Sequence, residues 1–223
     1  LPAGEALFEY RAKAVLAAAG IAVPRGSVAT DLDAARAIAA NIGYPVVLKA
    51  QAAPLAHKTE AGGVQIGILN ETALISAWAR LHATVAERRP DVVLEGVLVE
   101  AMAPTGIECV VGARRDPQWG AVLLLGLGGI WIETLGDVRL MPLDVSAADV
   151  REHISALRAS AILSGSRGSQ PADISALVDV VLRLGAMMET TPALAEIEIN
   201  PLVVYPRGKG VVALDALIAG SAV

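Results

Sequence analysis

Apolar positions recur along the chain with two periods, and the switches between them mark out its elements. Over residues 5–19, Leu7, Tyr10, Ala14, Leu16 and Ala17 share one broad helical stripe, which Gly20 ends. Residues 21–24 read as a short strand or extended exit. Thr30, Asp31 and Asp33 then supply a cap and an acidic first turn for an alanine-rich helix that runs to Ile42 and stops at Gly43. Residues 45–50 predict a buried strand with Lys49 near its end. Residues 51–63 show no period and carry Pro54, His57, Lys58 and the pair Gly62-Gly63. A dozen residues is long for a passive connection, so this reads as a functional loop. Residues 64–69 predict a strand, and a helix follows from Asn70 towards Arg88, broken by Pro90.

The second half alternates with period two. Strands are predicted over residues 92–102, 107–113 and 121–125, a glycine turn over 126–129, and short strands over 130–134 and 138–141. A helical stretch begins at Ser146, restarts near Pro171 and reaches Met188. Strands over 194–200, 202–205 and 211–214 surround a turn at 206–210. This order, α/β at first and antiparallel β with flanking helices later, predicts an α+β architecture of two subdomains rather than a doubly wound sheet. The division predicted is residues 1–98 and 99–223.

Composition narrows the function classes. The 223 residues include 18 Lys and Arg against 23 Asp and Glu, a net charge of −5, with 54% hydrophobic and 3% aromatic residues. A mean hydropathy of +0.55 is high, yet the longest apolar run, 121–132, falls short of the roughly 20 residues of a membrane-spanning helix. The acidic balance and scarcity of aromatics argue against nucleic-acid binding, which needs a basic surface and stacking platforms. A single cysteine, Cys109, excludes an intrachain disulfide framework and a cysteine-rich zinc site, and fits a reducing cytoplasm. The start, with Glu5 and Glu9 among the first ten residues, lacks the pattern of a signal peptide, and a first residue of Leu points to a piece of a longer chain.

The strongest local signal is Glu196-Ile197-Glu198-Ile199-Asn200-Pro201. In a strand, Glu196, Glu198 and Asn200 share one face while Ile197 and Ile199 point to the core. A hairpin would bring Asp215, at the end of the following strand, beside Asn200. Carboxylate and amide oxygens without His or Cys are the donors Mg²⁺ prefers, although a solvated edge strand reads equally well from spacing alone. Lys49, ending an apolar strand, needs an anionic partner such as phosphate or a route for its ammonium to solvent. Glu100 and Glu108 fit either ligand contacts at a cleft or surface ion pairs. His57 is the one histidine in a long loop, open to phosphoryl-acceptor, base or ligand roles or to none, whereas His82 and His153 fall on helical segments that read as surface. Gly126-Leu127-Gly128-Gly129 lacks the Lys-Ser/Thr of a Walker A loop and the GxGxxG spacing. Cys109 reads as core packing, and no serine- or zinc-hydrolase motif is present.

Taken together, Glu9-Tyr10-Arg11-Ala12-Lys13, Gly43-Tyr44-Pro45-Val46-Val47-Leu48-Lys49, His57-Lys58-Thr59-Glu60-Ala61-Gly62-Gly63, Leu98-Val99-Glu100-Ala101-Met102, Gly126-Leu127-Gly128-Gly129-Ile130, Gly165-Ser166-Arg167-Gly168, Glu198-Ile199-Asn200-Pro201 and Ala213-Leu214-Asp215-Ala216 resemble the ATP-grasp, β-subunit-like domain of the ADP-forming acyl-CoA synthetases. These are relatives of succinyl-CoA synthetase, and the resemblance covers essentially the whole chain. It implies an ATP-grasp fold with nucleotide between two α+β subdomains. By position, Lys49 would contact nucleotide phosphate, Glu100 and Ala103 would line the adenine and hinge region, and Glu108 would bind the nucleotide. Asn200 and Asp215 would hold Mg²⁺ with Glu198 in support, and His57 would be a transient phosphohistidine. The His57 loop stands where succinyl-CoA synthetase has a basic glycine-rich phosphate loop, and residues 136–142 form a shorter stretch than the family's, which leaves Arg139 without a carried-over role.

The resemblance further implies ATP/ADP and Mg²⁺ as cofactors and CoA-binding and CoA-ligase domains as partners, in cis or in trans. It implies an oligomer when full length, with neither nucleic acid nor membrane as partner. A different class is a nucleotide-sensing module of a synthetase-like protein fused to a lysine acetyltransferase. A stand-alone carboxylate–amine ligase fits less well, because that class lacks the His57 loop pattern.

Overall fold

The computed structural model describes residues 4, 6–52, 61–129, 136–165, 168 and 170–221. Side-chain caps set where its longer helices begin. Asp31 accepts the Ala34 N–H at 2.8 Å and starts α2 (Leu32–Ile42), and Asn70 accepts the Ala73 N–H at 2.9 Å and starts α3 (Glu71–Arg88). Ser146 and Asp149 close a reciprocal capping box on α4 (Ala147–Ser155). Asp173 caps α6 (Ile174–Thr190), which follows the short α5 (Ser160–Leu163). The first helix, α1 (Glu9–Ala18), ends before Gly20, whose φ is +78°.

The elements group into two units, a smaller one of Pro24–Ala103 and a larger one of Leu1–Val23 with Pro104–Val223. In the smaller unit, β1 (Gly26–Ala29), β2 (Val46–Gln51), β3 (Val64–Ile68) and β4 (Gly96–Ala101) form an antiparallel sheet in the order β1-β4-β2-β3. Alternation puts Val46, Leu48, Ala50, Val97 and Val99 on one face, where they bury against Ala35 and Ala39 of α2 and Leu74, Leu81 and Val85 of α3. Val47, Lys49 and Gln51 lie on the other face.

In the larger unit, β5 (Ile107–Asp116), β6 (Gly120–Leu127), β7 (Val138–Pro142), β8 (Leu194–Val204) and β10 (Ala216–Gly220) pair antiparallel in the order β10-β8-β5-β6-β7. The short β9 (Val211–Ala213) pairs with the far end of β8. One face carries Leu123, Leu125, Ile197, Ile199 and Ile218 into a core with Leu177, Val181, Leu184 and Met188 of α6. Two polar side chains fasten α6 at its ends. Asp173 accepts N–H bonds from Gly208 and Gly210 at 2.8 and 2.9 Å, tying the β8–β9 turn to the helix start. At the other end, the Arg115 guanidinium donates to the carbonyls of Met188, Thr191 and Leu194. The Leu7 N–H donates to Ile218 O at 2.8 Å and Ala6 bridges Ala219, so residues 6–7 run beside β10.

The α+β class and the antiparallel second half agree with the sequence reading, and several boundaries differ. Residues 1–23 join the larger unit, whereas a division in chain order puts them with 24–98. Strand β1 lies at 26–29 and not at 21–24, and the helical stretch after Ser146 is three helices. The 126–129 glycines are not simply a turn, because β6 continues to Leu127. A Cβ on Gly126 would lie 2.8 Å from Val138 Cγ1 and 2.9 Å from Asp137 O, so the missing side chain admits β7 alongside. Strand β8 passes unbroken through Asn200-Pro201, a cis peptide, and β10 is a strand the sequence reading omitted. The strand predicted over 130–134 lies outside the described residues. No described helix is long and apolar enough to cross a membrane.

Candidate functional site

The first group of site residues sits on the smaller sheet, on the face away from α2 and α3. Register pairs Val47 with Glu100 and Lys49 with Leu98, so Lys49 and Glu100 are diagonal neighbours on one face. The Lys49 ammonium lies 3.3 Å from a Glu100 carboxylate oxygen, with side chains 11% and 4% exposed. A cation at the end of an apolar strand therefore does have an anionic partner nearby, and its ammonium does not simply run out to solvent. Gln51, two residues on and fully buried, donates to the carbonyls of Lys49 and Ala50 at 3.2 and 3.1 Å. Gly26 allows this crowding, since a Cβ there would stand 2.8 Å from Glu100 Cγ. Ala103, half-buried, closes this unit.

The second group lies on the larger sheet. Ile197 and Ile199 are 1% and 0% exposed while Glu196 and Glu198 are half-buried and Asn200 is exposed, the alternation expected of this strand. The Asn200 N–H donates to Asp215 O at 3.2 Å, and the Asn200 amide donates to Glu198 Oε1 at 3.2 Å. The Ala216 N–H donates to Asp215 Oδ1 at 2.8 Å. The β8–β9 hairpin thus carries the chain back so that Asp215, just after β9, lies beside Asn200. Among the described residues no group of three His, Cys, Asp or Glu is arranged to hold a metal. The donor set here is instead two carboxylates and an amide oxygen, all hard, which suits a cation that takes its other ligands from phosphate and water.

Glu108, exposed on β5, belongs to this sheet and Glu100 to the other. The glycine run meets Glu108 directly. The Gly128 N–H donates to Glu108 O at 2.8 Å, and a Cβ on Gly129, where φ is +61°, would lie 3.2 Å from Glu108 Oε2. The next residue, Cys109, is 1% exposed, and burial, aided by the Glu108 charge, pushes its thiol up to about 12. It is part of the larger unit's core. His82 and His153 are half-buried, not fully on the surface, and the His82 ring lies against Trp78, centroids 4.7 Å apart and tilted by 35°. His57 lies outside the described residues. Arg139 donates to the Ala156 carbonyl at the end of α4, a role inside the larger unit.

The sequence reading missed the groove beside this second group. A cavity of about 740 Å³ opens on the larger sheet's outer face, lined among others by Glu196, Glu198, Arg114, Leu124, Leu140 and Trp119. The period-two alternation of β6 and β7 was the available signal, since it leaves Val122, Leu124, Val138 and Leu140 facing away from the core.

The ATP-grasp domain family matches residues 3–219. Trans-feruloyl-CoA synthase from an unknown prokaryotic organism is 43% identical over 210 residues, 94% of this chain and 30% of that protein. The β subunit of ADP-forming acetate–CoA ligase II of Pyrococcus furiosus is 38% identical over 214 residues, 96% of this chain and 91% of that subunit. The chain therefore spans under a third of the first relative and nearly all of the second. Acetyl-coenzyme A synthetase 1 of Candidatus Korarchaeum cryptofilum, solved with coenzyme A and Ca-AMPCP, superposes with a TM-score of 0.93 at 33% identity, over 97% of this chain and 93% of that one. A second structure of that synthetase, with Mg-AMPPCP and its phosphohistidine segment pointing towards the nucleotide binding site, gives 0.82 at 31%, with the same coverage. With the family matched over nearly its whole length, and with these relatives on either side, the chain belongs to the ATP-grasp domain family, in the branch of the ADP-forming acyl-CoA ligases.

Proposed function

We propose that this chain is the nucleotide-binding, phosphoryl-transferring part of an ADP-forming acyl-CoA synthetase. The full reaction is carboxylic acid, CoA and ATP to acyl-CoA, ADP and phosphate, reversibly. The observation that supports the reading is that one chain carries two sets of groups of the right chemistry: a buried lysine on one sheet, and an oxygen-donor cluster of Glu198, Asn200 and Asp215 on the other. Lys49 offers positive charge to the phosphates, with Glu100 holding its ammonium in place. Glu100 and Ala103 line the adenine and hinge region, and Glu108, backed by the Gly128-Gly129 backbone, binds the nucleotide. Asn200 and Asp215, supported by Glu198, hold Mg²⁺, which when bound neutralises phosphate charge.

Phosphoryl transfer asks the protein for position and charge more than for covalent chemistry. His57 supplies the nucleophile. Its neutral imidazole nitrogen forms the N–P bond to the γ-phosphorus as the bond to the β–γ bridging oxygen breaks, and ADP leaves with the electron pair. A histidine of the CoA-ligase part then takes the phosphoryl group. There the acid's carboxylate takes it in turn to give an acyl phosphate, and the CoA thiolate displaces phosphate to give the thioester. The relatives matched are synthetases and ligases, which favours this reading over a nucleotide-sensing module fused to an acetyltransferase. Its partners in this reading are CoA-binding and CoA-ligase domains in cis or in trans, a reading supported by relatives that are β subunits of such ligases.

The test is an assay of ADP release with CoA, Mg·ATP and a panel of short-chain and aromatic acids, using this chain together with its CoA-ligase part. His57→Ala is expected to abolish acid-dependent turnover while ATP still binds. Full turnover by that variant would rule out the shuttle role.

A further inference from the structure

The chain on either side of the segment that carries His57 is fastened inside the smaller unit. Residues 53–60 lie outside the described residues, but Ala52 before them and Ala61 after them are 6% and 7% exposed and belong to one core with Leu48, Leu81 and Val85. The departing end is held by the sheet, since the Glu95 N–H donates to Gln51 O at 2.9 Å. The returning end joins β2 through the Ala50 N–H, which donates to Gly63 O at 2.7 Å, and β3 begins at the next residue. One residue earlier, at Gly62, the chain is pressed against a helix.

That contact is with Thr84 of α3. Gly62 has φ +70°, and a Cβ there would stand 2.4 Å from Thr84 Cγ2 and 3.3 Å from Thr84 Cβ. The Thr84 hydroxyl donates to the Arg80 carbonyl one turn back at 2.8 Å, so the hydroxyl is held on the helix and the methyl is what meets Gly62. Arg80, four residues before Thr84 and on the same side of α3, donates through Nε to Gln65 Oε1 at 2.8 Å. Gly62 and Gln65 are thus seated on one row of α3. The φ alone does not require this closeness: Gly67 in β3 has the same φ of +70°, yet a Cβ on it would meet nothing within 4 Å.

We propose that Gly62 and Thr84 are positioning residues for phosphoryl transfer, clamping the returning end of the His57 segment to α3. The clamp fixes how much chain is left between the two buried ends, and so where the imidazole nitrogen can stand as its bond to the γ-phosphorus forms and ADP leaves. The proposal rests on the function assigned above and adds two residues that bind neither nucleotide nor metal in that reading. Transfer needs the reacting atoms about 3–3.5 Å apart, and a misplacement of about 1 Å costs on the order of a hundredfold, so a shift at a fixed end reaches the rate.

In the enzyme assembled with its CoA-ligase part, four variants are compared: Gly62→Ala, Thr84→Ser, the two together, and Gly67→Ala. Two quantities are read, Mg-AMPPCP affinity and the rate of ³²P transfer from γ-labelled ATP to His57, located by peptide mapping. Gly62→Ala is expected to slow labelling about tenfold or more at unchanged affinity, because the new Cβ displaces the chain. Thr84→Ser removes only the methyl and is expected to slow labelling less. The pair together is expected to label faster than Gly62→Ala alone, the added methyl taking the place of the one removed. Gly67→Ala carries the same backbone cost without the contact and is expected to label as the unaltered enzyme does. Unchanged labelling in Gly62→Ala overturns the clamp, as does an equal loss in Gly67→Ala. Losses that simply add in the double variant overturn the Thr84 contact and the proposal with it. A parallel fall in Mg-AMPPCP affinity reassigns Gly62 to nucleotide binding and overturns the positioning role. Where Gly62→Ala yields no folded protein by circular dichroism, Thr84→Ser decides alone, and labelling equal to that of the unaltered enzyme overturns the clamp. Absence of any label on His57 in the unaltered enzyme instead overturns the underlying function, and the clamp falls with it.

Discussion

At the scale of single residues, chemistry here depends on what surrounds each group. Cys109 is buried beside Glu108, and a thiol pushed up to about 12 is almost entirely protonated at neutral pH. Iodoacetamide at pH 8 is therefore expected to leave it unmodified in the native protein and to alkylate it within minutes in denaturant, as mass spectrometry would show. Rapid native labelling would contradict its place in the core. Lys49 shows the limit of sequence in the other direction. A lysine ending an apolar strand left phosphate and solvent both open, and the tertiary register brought Glu100 alongside. The alternation of Glu196 to Asn200 was legible because it depends only on the two-residue period of a strand. The nearness of Asp215 was legible because a short connection leaves few alternatives. Glu100 and Glu108, eight residues apart, read as ligand contacts or surface ion pairs, and the chain changes sheets between them, a change of which local periodicity carries no sign.

At the scale of elements, the strong signals were starts and stops: Asp31 and Gly43 bound α2, and Asn70 and Pro90 bound α3, in both sequence and structure. The weaker ones were interruptions. Asn200-Pro201 reads as a break, yet β8 runs through it because β5 pairs with β8 on both sides of the step. Asp173 joins two elements at once, capping α6 and holding the β8–β9 turn. The N–H of Gly210, followed by those of Ala176 and Gly208, holds its carboxyl below the usual carboxylate range despite burial. Asp137 is held low as well: burial opposes this, but N–H bonds from Ala159 and Arg158 outweigh it. Because their folded values lie under the unfolded value near 3.9, these two groups contribute stability that is complete above about pH 5. That contribution is lost as pH falls through the folded values. Asp173→Asn is expected to lower Tm by a few degrees at pH 7 and to flatten the fall in Tm between pH 5 and 3, measured by thermal scans across that range. An unchanged slope would show that the carboxylate charge is not what joins the turn to the helix.

At the scale of the whole molecule, the two units bury separate sets of side chains, Leu48, Leu74 and Leu81 in one and Leu123, Leu184 and Ile199 in the other. A cavity in one core should then act on that unit first. Leu81→Ala, at a fully buried site, is expected to cost about 2–5 kcal/mol and to draw out a separate low-temperature step in calorimetry for Pro24–Ala103. A single transition shifted as a whole would instead mean that the units unfold together. Composition reads differently in this light. An acidic chain is a poor partner for phosphates on charge alone, but the proposed function gives Glu198 and Asp215 the holding of a cation between chain and phosphate, and the few aromatics include Trp119, 81% exposed.

The bond between Leu7 and Ile218 has a consequence for how such a domain is put to use. Residues 6–7 and 218–219, far apart in sequence, lie side by side at one edge of the larger sheet. A domain closed in this way works like a cassette: it can be spliced into a long polypeptide or run as a subunit of its own, and neither arrangement asks the sheets to change. The two relatives with very different lengths, one over three times the matched region and the other barely longer than it, show both arrangements.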